Sequence, residues 1–342
     1  MLNRVLVFLA ACASACAGAA VPTFSVSHVS LGGDGGHDYI VAEPGTGRVF
    51  ISRGTHVMVV DGPSGKVLGD IADTPRVHGV ALVERHGHGF ATNGGDSTVS
   101  MFDLKTLAVL KRIPVATGGL DGIMYDASTD RVVLTNHSRP GTVVFIDPSN
   151  GDVVGTVSLT DDSPEGSVSD AAGHLFVNSE GASTVQVIDQ KTLKPVATWP
   201  LAPCAGPTGI AYDARNKRLF AGCSGTSVVL DTGNGHVVAT IANGNGVDAL
   251  GWDPAEQLLY IPAGRDGTVT VVHQESADRY TTVATLQTAV GGKTITVDPV
   301  THTAYLLALQ FGPLPANAPV AAAGRPPARG PVVGAQLFTI RH

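Results

Sequence analysis

Residues 121 to 136 read "DGIMYDASTDRVVLTN" and hold two short apolar runs separated by a polar turn. Versions of this stretch recur along the chain, and the residue that closes the first run returns every 40 to 45 positions. The seven closing residues are Glu43, Val83, Asp126, Asp170, Asp213, Asp253 and Asp298. A repeat of about 40 residues predicts a ring or array of similar supersecondary units.

Each repeat continues with a third apolar run, as in "VVFID" at 143 to 147, and a fourth, as in "GDVVGTV" at 151 to 157. Four short strands per repeat are typical of a propeller blade. The seventh repeat lacks a fourth run, whereas "FSVSHVSLG" at 24 to 32 precedes the first. We therefore predict an all-β, seven-bladed β-propeller whose N-terminal strand completes the C-terminal blade and closes the ring.

The composition agrees with one large β-domain, because the 342 residues include 42 Gly and 21 Pro and only 15% are charged. We assign the propeller to residues 21–342. Within it, residues 312–331 are rich in Pro and Ala and lack apolar periodicity, which predicts a flexible loop. A lid over one face is a further interpretation of this loop.

The first 20 residues have the features of a secretory signal peptide. Arg4 precedes an apolar run, and small residues follow around Ala15-Cys16-Ala17. The run is too short for a membrane span. The sequence therefore predicts a periplasmic or secreted protein without a transmembrane segment. In an alternative interpretation, Leu9-Ala10-Ala11-Cys12 is a lipoprotein site with Cys12 acylated.

Loss of the signal peptide would leave Cys204 and Cys223 as the two cysteines of the mature chain. They flank the first hairpin of the fifth repeat, and a pair in a secreted protein predicts a disulfide. As free thiols they would be ligands for a soft metal such as copper. The net charge of −7 and the absence of a Lys/Arg cluster argue against nucleic-acid binding.

Two repeats end their second run with Phe90-Ala91-Thr92-Asn93 and Val133-Leu134-Thr135-Asn136. These tetrads resemble the Tyr-Val-Thr-Asn signature of the bacterial YVTN-repeat, or YncE-like, propellers. The resemblance covers about residues 24–312 and the last strand, but "FAGC", "YIPA" and "YLLA" replace the signature in the last three repeats. It implies the propeller fold and a location in the cell envelope, and it assigns no activity.

The residue five positions before each closing residue varies most, and these positions should ring one mouth of the central channel. They are Asp38, His78, Asp121, Glu165, Thr208, Asp248 and Lys293. Like charges this close require shared protons or a bound cation. Carboxylates with one imidazole suit Ca²⁺, Mg²⁺ or Mn²⁺, with Zn²⁺ and Cu²⁺ less favoured.

We predict His78, Asp121, Glu165 and Asp248 as metal ligands. Asp38, Thr208 and Lys293 are predicted to contact a small ligand. A second ring at the ends of the second strands, which includes Arg53, Asn93 and Asn136, would contact a ligand extending from the mouth. Turn capping is the simpler role for the two Asn residues.

Three functions remain open at this point. The mouth binds a small molecule or a divalent cation; or it is the active site of a metal-dependent lactonase or lyase, with His78, Asp121 and Glu165 catalytic; or the propeller is a scaffold for an envelope protein. A mouth filled only with water is the alternative to all ligand binding. We expect a monomer.

Overall fold

The computed structural model describes residues 23–33, 35–116, 118–314 and 330–342. These residues form seven antiparallel, four-stranded sheets, which confirms the predicted seven-bladed propeller. The predicted signal peptide, Cys12 and most of the 312–331 loop lie outside the described residues. In the described part of the chain, no helix has the length and hydrophobicity to cross a bilayer.

The strands follow one another blade by blade along the first half of the chain. β1 (Ser25–Leu31) precedes blade one, which comprises β2 (Ile40–Ala42), β3 (Arg48–Ser52), β4 (Val57–Asp61) and β5 (Val67–Ile71). Blade two comprises β6 (Val77–Val83), β7 (His88–Asn93), β8 (Thr98–Asp103) and β9 (Val109–Pro114). Blade three comprises β10 (Leu120–Asp126), β11 (Arg131–Asn136), β12 (Thr142–Asp147) and β13 (Asp152–Ser158).

The second half of the chain repeats this order. Blade four comprises β14 (Pro164–Ser169), β15 (His174–Ser179), β16 (Thr184–Asp189) and β17 (Lys194–Pro200). Blade five comprises β18 (Gly209–Asp213), β19 (Arg218–Gly222), β20 (Thr226–Asp231) and β21 (Val237–Ala242). Blade six comprises β22 (Gly251–Asp253), β23 (Leu258–Ala263), β24 (Thr268–Ser276) and β25 (Arg279–Gln287), and blade seven β26 (Ile295–Asp298), β27 (Thr303–Phe311) and β28 (Val332–Arg341).

The N-terminal strand completes the last blade. β1 pairs antiparallel with β28, from Ser25 opposite Arg341 to Leu31 opposite Ala335. The sheet order β1-β28-β27-β26 makes the first strand the outer strand of blade seven. The predicted closure is therefore confirmed, and it gives β28 a partner on its otherwise open edge.

The hydrophobic core lies between the blades. Among the described residues, buried apolar side chains form seven clusters, each shared by two neighbouring blades. Phe50 of blade one packs near Phe102 of blade two, with ring centroids 6.2 Å apart. Leu337 of blade seven shares a cluster with Ile51 of blade one. Because every blade packs on both neighbours, the repeated apolar runs are required by packing.

The repeated closing Asp is a turn residue. Asp126 accepts a hydrogen bond from the Ser128 backbone N–H at 3.0 Å, and the turn continues through Asp130 with φ 51°. Blade two, where Val83 replaces Asp, instead forms a short 3₁₀ helix at Glu84–His86. The Asp that closes the first run of the repeat therefore stabilises the turn between the first two strands, and it is not part of the channel mouth.

Cys204 and Cys223 form a disulfide in the structure, with their Cα atoms 5.6 Å apart. Both residues are buried, and they belong to the apolar cluster between blades four and five. The pairing predicted from the repeat is therefore present. Both sulfurs are engaged in this bond, so the structure does not support the alternative of a soft-metal site there.

Candidate functional site at the axial mouth

The seven variable positions lie at or just before the starts of the inner strands. His78, Asp121 and Glu165 lie within the first two residues of their strands, whereas Asp38 precedes β2. Ion pairs and hydrogen bonds link six of these seven side chains, together with His137, into two groups that share Asp121. The structure thus brings together side chains that are up to 255 residues apart in sequence.

The first group is centred on Asp38. Its Oδ1 accepts a hydrogen bond from Lys293 Nζ at 3.0 Å, and its Oδ2 lies 2.6 Å from His78 Nδ1. Burial opposes ionisation of Asp38, but the His78 hydrogen bond and the Lys293 charge outweigh it and lower the pKa of this carboxyl. The hydrogen bond with Asp38 raises the pKa of His78. Asp38 is therefore an ionised carboxylate held between two basic groups.

Lys293 also forms an ion pair with Asp248. Burial opposes the charged form of Lys293, but the charges of Asp248 and Asp38 outweigh it and raise its pKa. Burial nevertheless raises the pKa of Asp248 despite the attraction of Lys293. Asp248 was predicted as a metal ligand, but the structure places it against Lys293 and outside the two potential metal-binding groups of the described residues.

The second group joins Asp121, His137 and Glu165. His137 Nε2 lies 3.4 Å from Asp121 Oδ2 and 3.4 Å from Glu165 Oε1. This nitrogen is buried and makes no hydrogen bond within the described part of the chain. Asp121 Oδ1 faces the other way and lies 3.8 Å from His78 Nδ1. Asp121 is therefore shared by both groups, with one oxygen turned to each imidazole.

The pKa of Asp121 and the pKa of Glu165 are both raised at this site, with burial as the largest cause. Burial, together with the charge of Asp38, raises the pKa of Asp121 to about 6. Burial and the charge of Asp121 raise the pKa of Glu165 to about 10, and the two side chains are hydrogen-bonded. At neutral pH Glu165 is thus the protonated partner and Asp121 is the better acceptor.

These pKa shifts predict a stability that depends on pH. Both carboxyls hold a proton in the folded protein at pH values where the unfolded chain has lost it, so stability falls as pH rises from about 4 to about 10. In chelator, Glu165→Gln should remove most of this slope and raise the melting temperature at about pH 8. Thermal unfolding across pH measures both effects. Exposed Glu84, at the other end of blade two's inner strand, supplies the control Glu84→Gln, and an unchanged slope in Glu165→Gln would contradict the assignment.

Threonine hydroxyls of neighbouring blades hold the backbone of the ring. Thr92 donates to the carbonyl oxygen of Asp121 at 2.9 Å, and it accepts from the Gly79 N–H at 2.9 Å. Thr294 donates to the carbonyl oxygen of Asp38 at 2.6 Å. Thr92 belongs to the tetrad that resembles the YVTN signature, so that threonine has a direct role in positioning the mouth.

Tyr39 lies in the channel below the ring. The equivalent residue of the other blades is small, namely Gly79, Gly122, Gly166, Gly209, Ala249 and Thr294. A Cβ at Gly79 would lie 2.8 Å from Ile123 Cγ2, so the space between these inner strands has no room for a large side chain. Tyr39 instead lines a narrow cavity of about 160 Å³ formed by residues of all seven blades. Burial and the charges of the ring carboxylates, Asp121 first, raise the pKa of its phenol.

Sequence reasoning missed Tyr39 and did not include His137 among the metal ligands. A signal for Tyr39 is present, because a tyrosine replaces the glycine of four other repeats. His137 directly follows the Asn136 tetrad, but only the folded chain shows that its ring turns to the axis. Its backbone N–H bonds the Gly119 carbonyl at 2.9 Å, which holds it beside the start of β10.

Four further predicted ligand contacts have other partners. Thr208 donates its hydroxyl to the Val247 carbonyl at 2.8 Å. Asn93 is fully buried and donates to the Thr98 and Ser100 hydroxyls of its own blade. Asn136 is also fully buried and bonds a backbone carbonyl of the preceding loop. Arg53 is fully buried, with Nη2 3.3 Å from the Gly33 carbonyl. Arg53, Asn93 and Asn136 of the second ring are therefore buried inside the blades and do not face the mouth, because the second strands lie behind the inner ones.

Two cavities lie near the ends of the inner strands. One of about 370 Å³ adjoins the ring and is lined by His37, Glu180, Asp248, Arg265 and Lys293 among others. The other, of about 600 Å³, lies at the opposite end and is lined mainly by apolar residues such as Val41, Leu82 and Met124. Asp248 and Lys293 of the ring line the first cavity, and the other ionisable ring residues are linked to them, so we take the polar mouth as the candidate site.

The fold and this mouth define a seven-bladed β-propeller with a half-buried ring of carboxylates and imidazoles. Solved structures of similar fold include Kuenenia stuttgartiensis hydrazine synthase, with a TM-score of 0.70 and 17% identity over 80% of this chain and 92% of that one. The RRP9 WD40 repeats give a TM-score of 0.75 at 10% identity, covering 92% and 97%. A chain of the mitotic checkpoint complex gives 0.71 at 16% identity, covering 90% and 96%.

These likenesses establish the fold alone, because the identities are low. No family model matches the chain, and no curated protein matches its sequence. The function must therefore be argued from the mouth itself.

Proposed function

We propose that the protein binds a divalent transition-metal cation at its axial mouth through Asp121, His137 and Glu165. The observation that carries this proposal is the His137 Nε2 atom, which is buried, lacks a hydrogen bond within the described residues and faces two carboxylate oxygens. A buried polar nitrogen that makes no hydrogen bond is costly. A cation between the three groups would satisfy the nitrogen and both carboxylates at once.

The distances fit a shared ion. Donor atoms at about 2.1 Å from an ion in a tetrahedral arrangement lie about 3.4 Å from each other. The two oxygens lie at this distance from His137 Nε2, 3.4 Å in each case. Deprotonation of Glu165 on metal binding would supply the second anionic ligand, because a ligating carboxyl must be ionised.

The group centred on Asp38 supports the proposed metal site without contributing a ligand. His78 is hydrogen-bonded to Asp38, and its ring lies beside the Asp121 oxygen that faces away from His137. Partners of this kind orient a ligating carboxylate. Lys293 balances part of the negative charge through Asp38 and Asp248. The imidazole of His137 among the three ligands, at a spacing that fits a tetrahedral ion, moves our preference from Ca²⁺ and Mg²⁺ towards Mn²⁺ or Zn²⁺.

Titration of the chelator-treated protein with Mn²⁺ and with Zn²⁺ tests the proposal. We expect one ion per chain, release of protons on binding, and a rise in melting temperature. His137→Ala should lose most of the affinity, whereas the control His174→Ala, at an exposed histidine outside the mouth, should keep it. Wild-type protein that takes up neither metal would overturn the proposal.

We also propose that the protein works outside the cytoplasm, as a monomeric member of the YVTN-type propellers. The Cys204–Cys223 disulfide supports this location, since structural disulfides persist in oxidising compartments. The role of Thr92 at the mouth supports the resemblance. Fractionation of cells and the N-terminal sequence of the purified protein test the location.

A further inference from the structure

A second cavity lies at the end of the inner strands opposite the polar mouth. It has a volume of about 600 Å³ and is lined by residues of blades one, two and three. Its walls include the half-buried apolar side chains Val41, Leu82, Ile123 and Met124. Binding sites for small molecules have volumes of about 300 to 1,000 Å³ and mainly apolar linings. None of the three proposed cation ligands lines this cavity, so it is a separate candidate site.

Two exposed charged residues also line this cavity, on a turn that is specific to blade two. They are Glu84 and Arg85, and they belong to the 3₁₀ helix Glu84–His86. In the other six repeats an uncharged residue directly follows the closing position, namely Pro44, Ala127, Ala171, Ala214, Pro254 and Pro299. Blade two thus has a carboxylate followed by a guanidinium where the other repeats begin the turn with Pro or Ala.

The structure leaves both charged groups available to a ligand. Arg85 has one ion pair among the described residues, between its Nη1 and Asp130 Oδ2 at 3.6 Å. Asp130 already accepts a hydrogen bond from the Tyr125 hydroxyl at 2.8 Å, and His86 Nε2 lies 3.1 Å from each of its oxygens. Glu84 forms no ion pair within the described part of the chain. An anionic and a cationic group of one ligand can therefore bind side by side here.

We propose that this cavity binds an aromatic amino acid. Its α-carboxylate pairs with Arg85, whose planar donor array suits a carboxylate, and its α-ammonium pairs with Glu84. Its ring packs on the apolar walls, where the Met124 thioether and the Tyr125 ring both favour an aromatic partner. This site is different from the axial mouth, and binding there does not depend on a bound cation.

The ligand needs both charges because the two neighbouring side chains have opposite charges. A purely anionic ligand would be repelled by Glu84, and a purely cationic one by Arg85. In an α-amino acid the two charged groups are attached to one carbon atom, as two consecutive residues require. The walls select an apolar side chain, since a polar one would lose its hydrogen bonds to water there. Aromatic rings bury the largest apolar area of such side chains.

Calorimetric titration with three ligands that share an indole ring tests the proposal. L-Tryptophan carries both charges, indole-3-propionate only the carboxylate and tryptamine only the ammonium. We expect the wild type to bind L-tryptophan about fivefold more tightly than either analogue, because each analogue loses one exposed charge pair and keeps one repelling neighbour. The affinities should be the same in chelator and in Mn²⁺, which distinguishes this site from the mouth.

Two variants should respond in opposite ways. Arg85→Gln should weaken the binding of L-tryptophan and indole-3-propionate about fivefold, and it should bind tryptamine at least as tightly as the wild type does. Glu84→Gln should weaken the binding of L-tryptophan and tryptamine, and it should bind indole-3-propionate at least as tightly. Both side chains are exposed, so both variants should fold. Arg215→Gln, at an exposed residue between the first two strands of blade five, is the matched control and should bind all three ligands normally.

Three results would overturn the proposal. One is failure of the wild type to bind any of the three ligands. Another is undiminished L-tryptophan binding in both Arg85→Gln and Glu84→Gln, because the ligand would then lie elsewhere. The third is equal affinity of the wild type for L-tryptophan and indole-3-propionate, which would exclude a contact between Glu84 and the ammonium group.

Discussion

Replacing Asp121 with Asn is expected to weaken Mn²⁺ binding at the mouth by about 100-fold or more, because the ring loses the carboxylate shared by both groups. One Asp121 oxygen lies 3.4 Å from His137 Nε2, and the other lies 3.8 Å from His78 Nδ1. The amide is nearly isosteric but cannot supply an anionic ligand. Mn²⁺ titration, followed by elemental analysis of the dialysed protein, measures the loss.

Two comparisons make this result specific. Glu84→Gln removes one negative charge at the opposite end of the channel, and it should bind Mn²⁺ as the wild type does. Without metal, Asp121→Asn should be at least as heat-stable as the wild type at about pH 8, since burial disfavours the charged carboxylate there. Full Mn²⁺ affinity in a folded Asp121→Asn variant would exclude Asp121 as a ligand.

A chain that begins at residue 33 is expected to lose on the order of 5 kcal/mol of stability relative to one that begins at residue 23. The shorter chain lacks β1, which makes seven register pairs with β28, and it loses the buried side chain of Leu31. Each lost hydrogen bond costs about 1 kcal/mol and the lost burial of Leu about 2 kcal/mol, and the conformational entropy that the freed strand regains offsets part of this sum, which leaves on the order of 5 kcal/mol. Urea unfolding of both chains measures the difference.

The exposed edge of β28 should also change the association of the shorter chain. An unpaired strand edge recruits other strands, so we expect dimers or aggregates in size-exclusion chromatography. The variant Val26→Ser, on the solvent-facing part of β1, is the matched control and should remain as stable as the longer chain. Equal stability of the two truncated chains would show that closure through β1 contributes little.

Much of the fold could be predicted because the repeat is a local property. The spacing from Asp126 to Asp170 and onwards, and the four apolar runs of each unit, determine the blades whatever the rest of the chain does. The spare run at 24 to 32 likewise predicted the pairing of β1 with β28. These features depend on backbone pairing and interblade packing, which every repeat satisfies in the same way.

The candidate site could be predicted only in part. Register counting located Asp38, His78, Asp121 and Glu165 at one mouth, since each lies at or just before the start of an equivalent strand. It could not tell that Asp248 would be held by Lys293 or that Asn93 would be buried in its own blade. Such choices depend on side-chain directions and on neighbours from other blades, which no local pattern contains.

The sequence by itself determined the number of blades, their strand order, the closure of the ring and the set of positions that face the axis. Only the tertiary structure decided that His137 would lie between Asp121 and Glu165 and that Tyr39 would line the channel cavity beside them. The physical reason is that blades repeat a backbone arrangement, whereas the axis is the place where seven different side chains meet. There, burial and mutual charge determine which carboxyls ionise and which are paired.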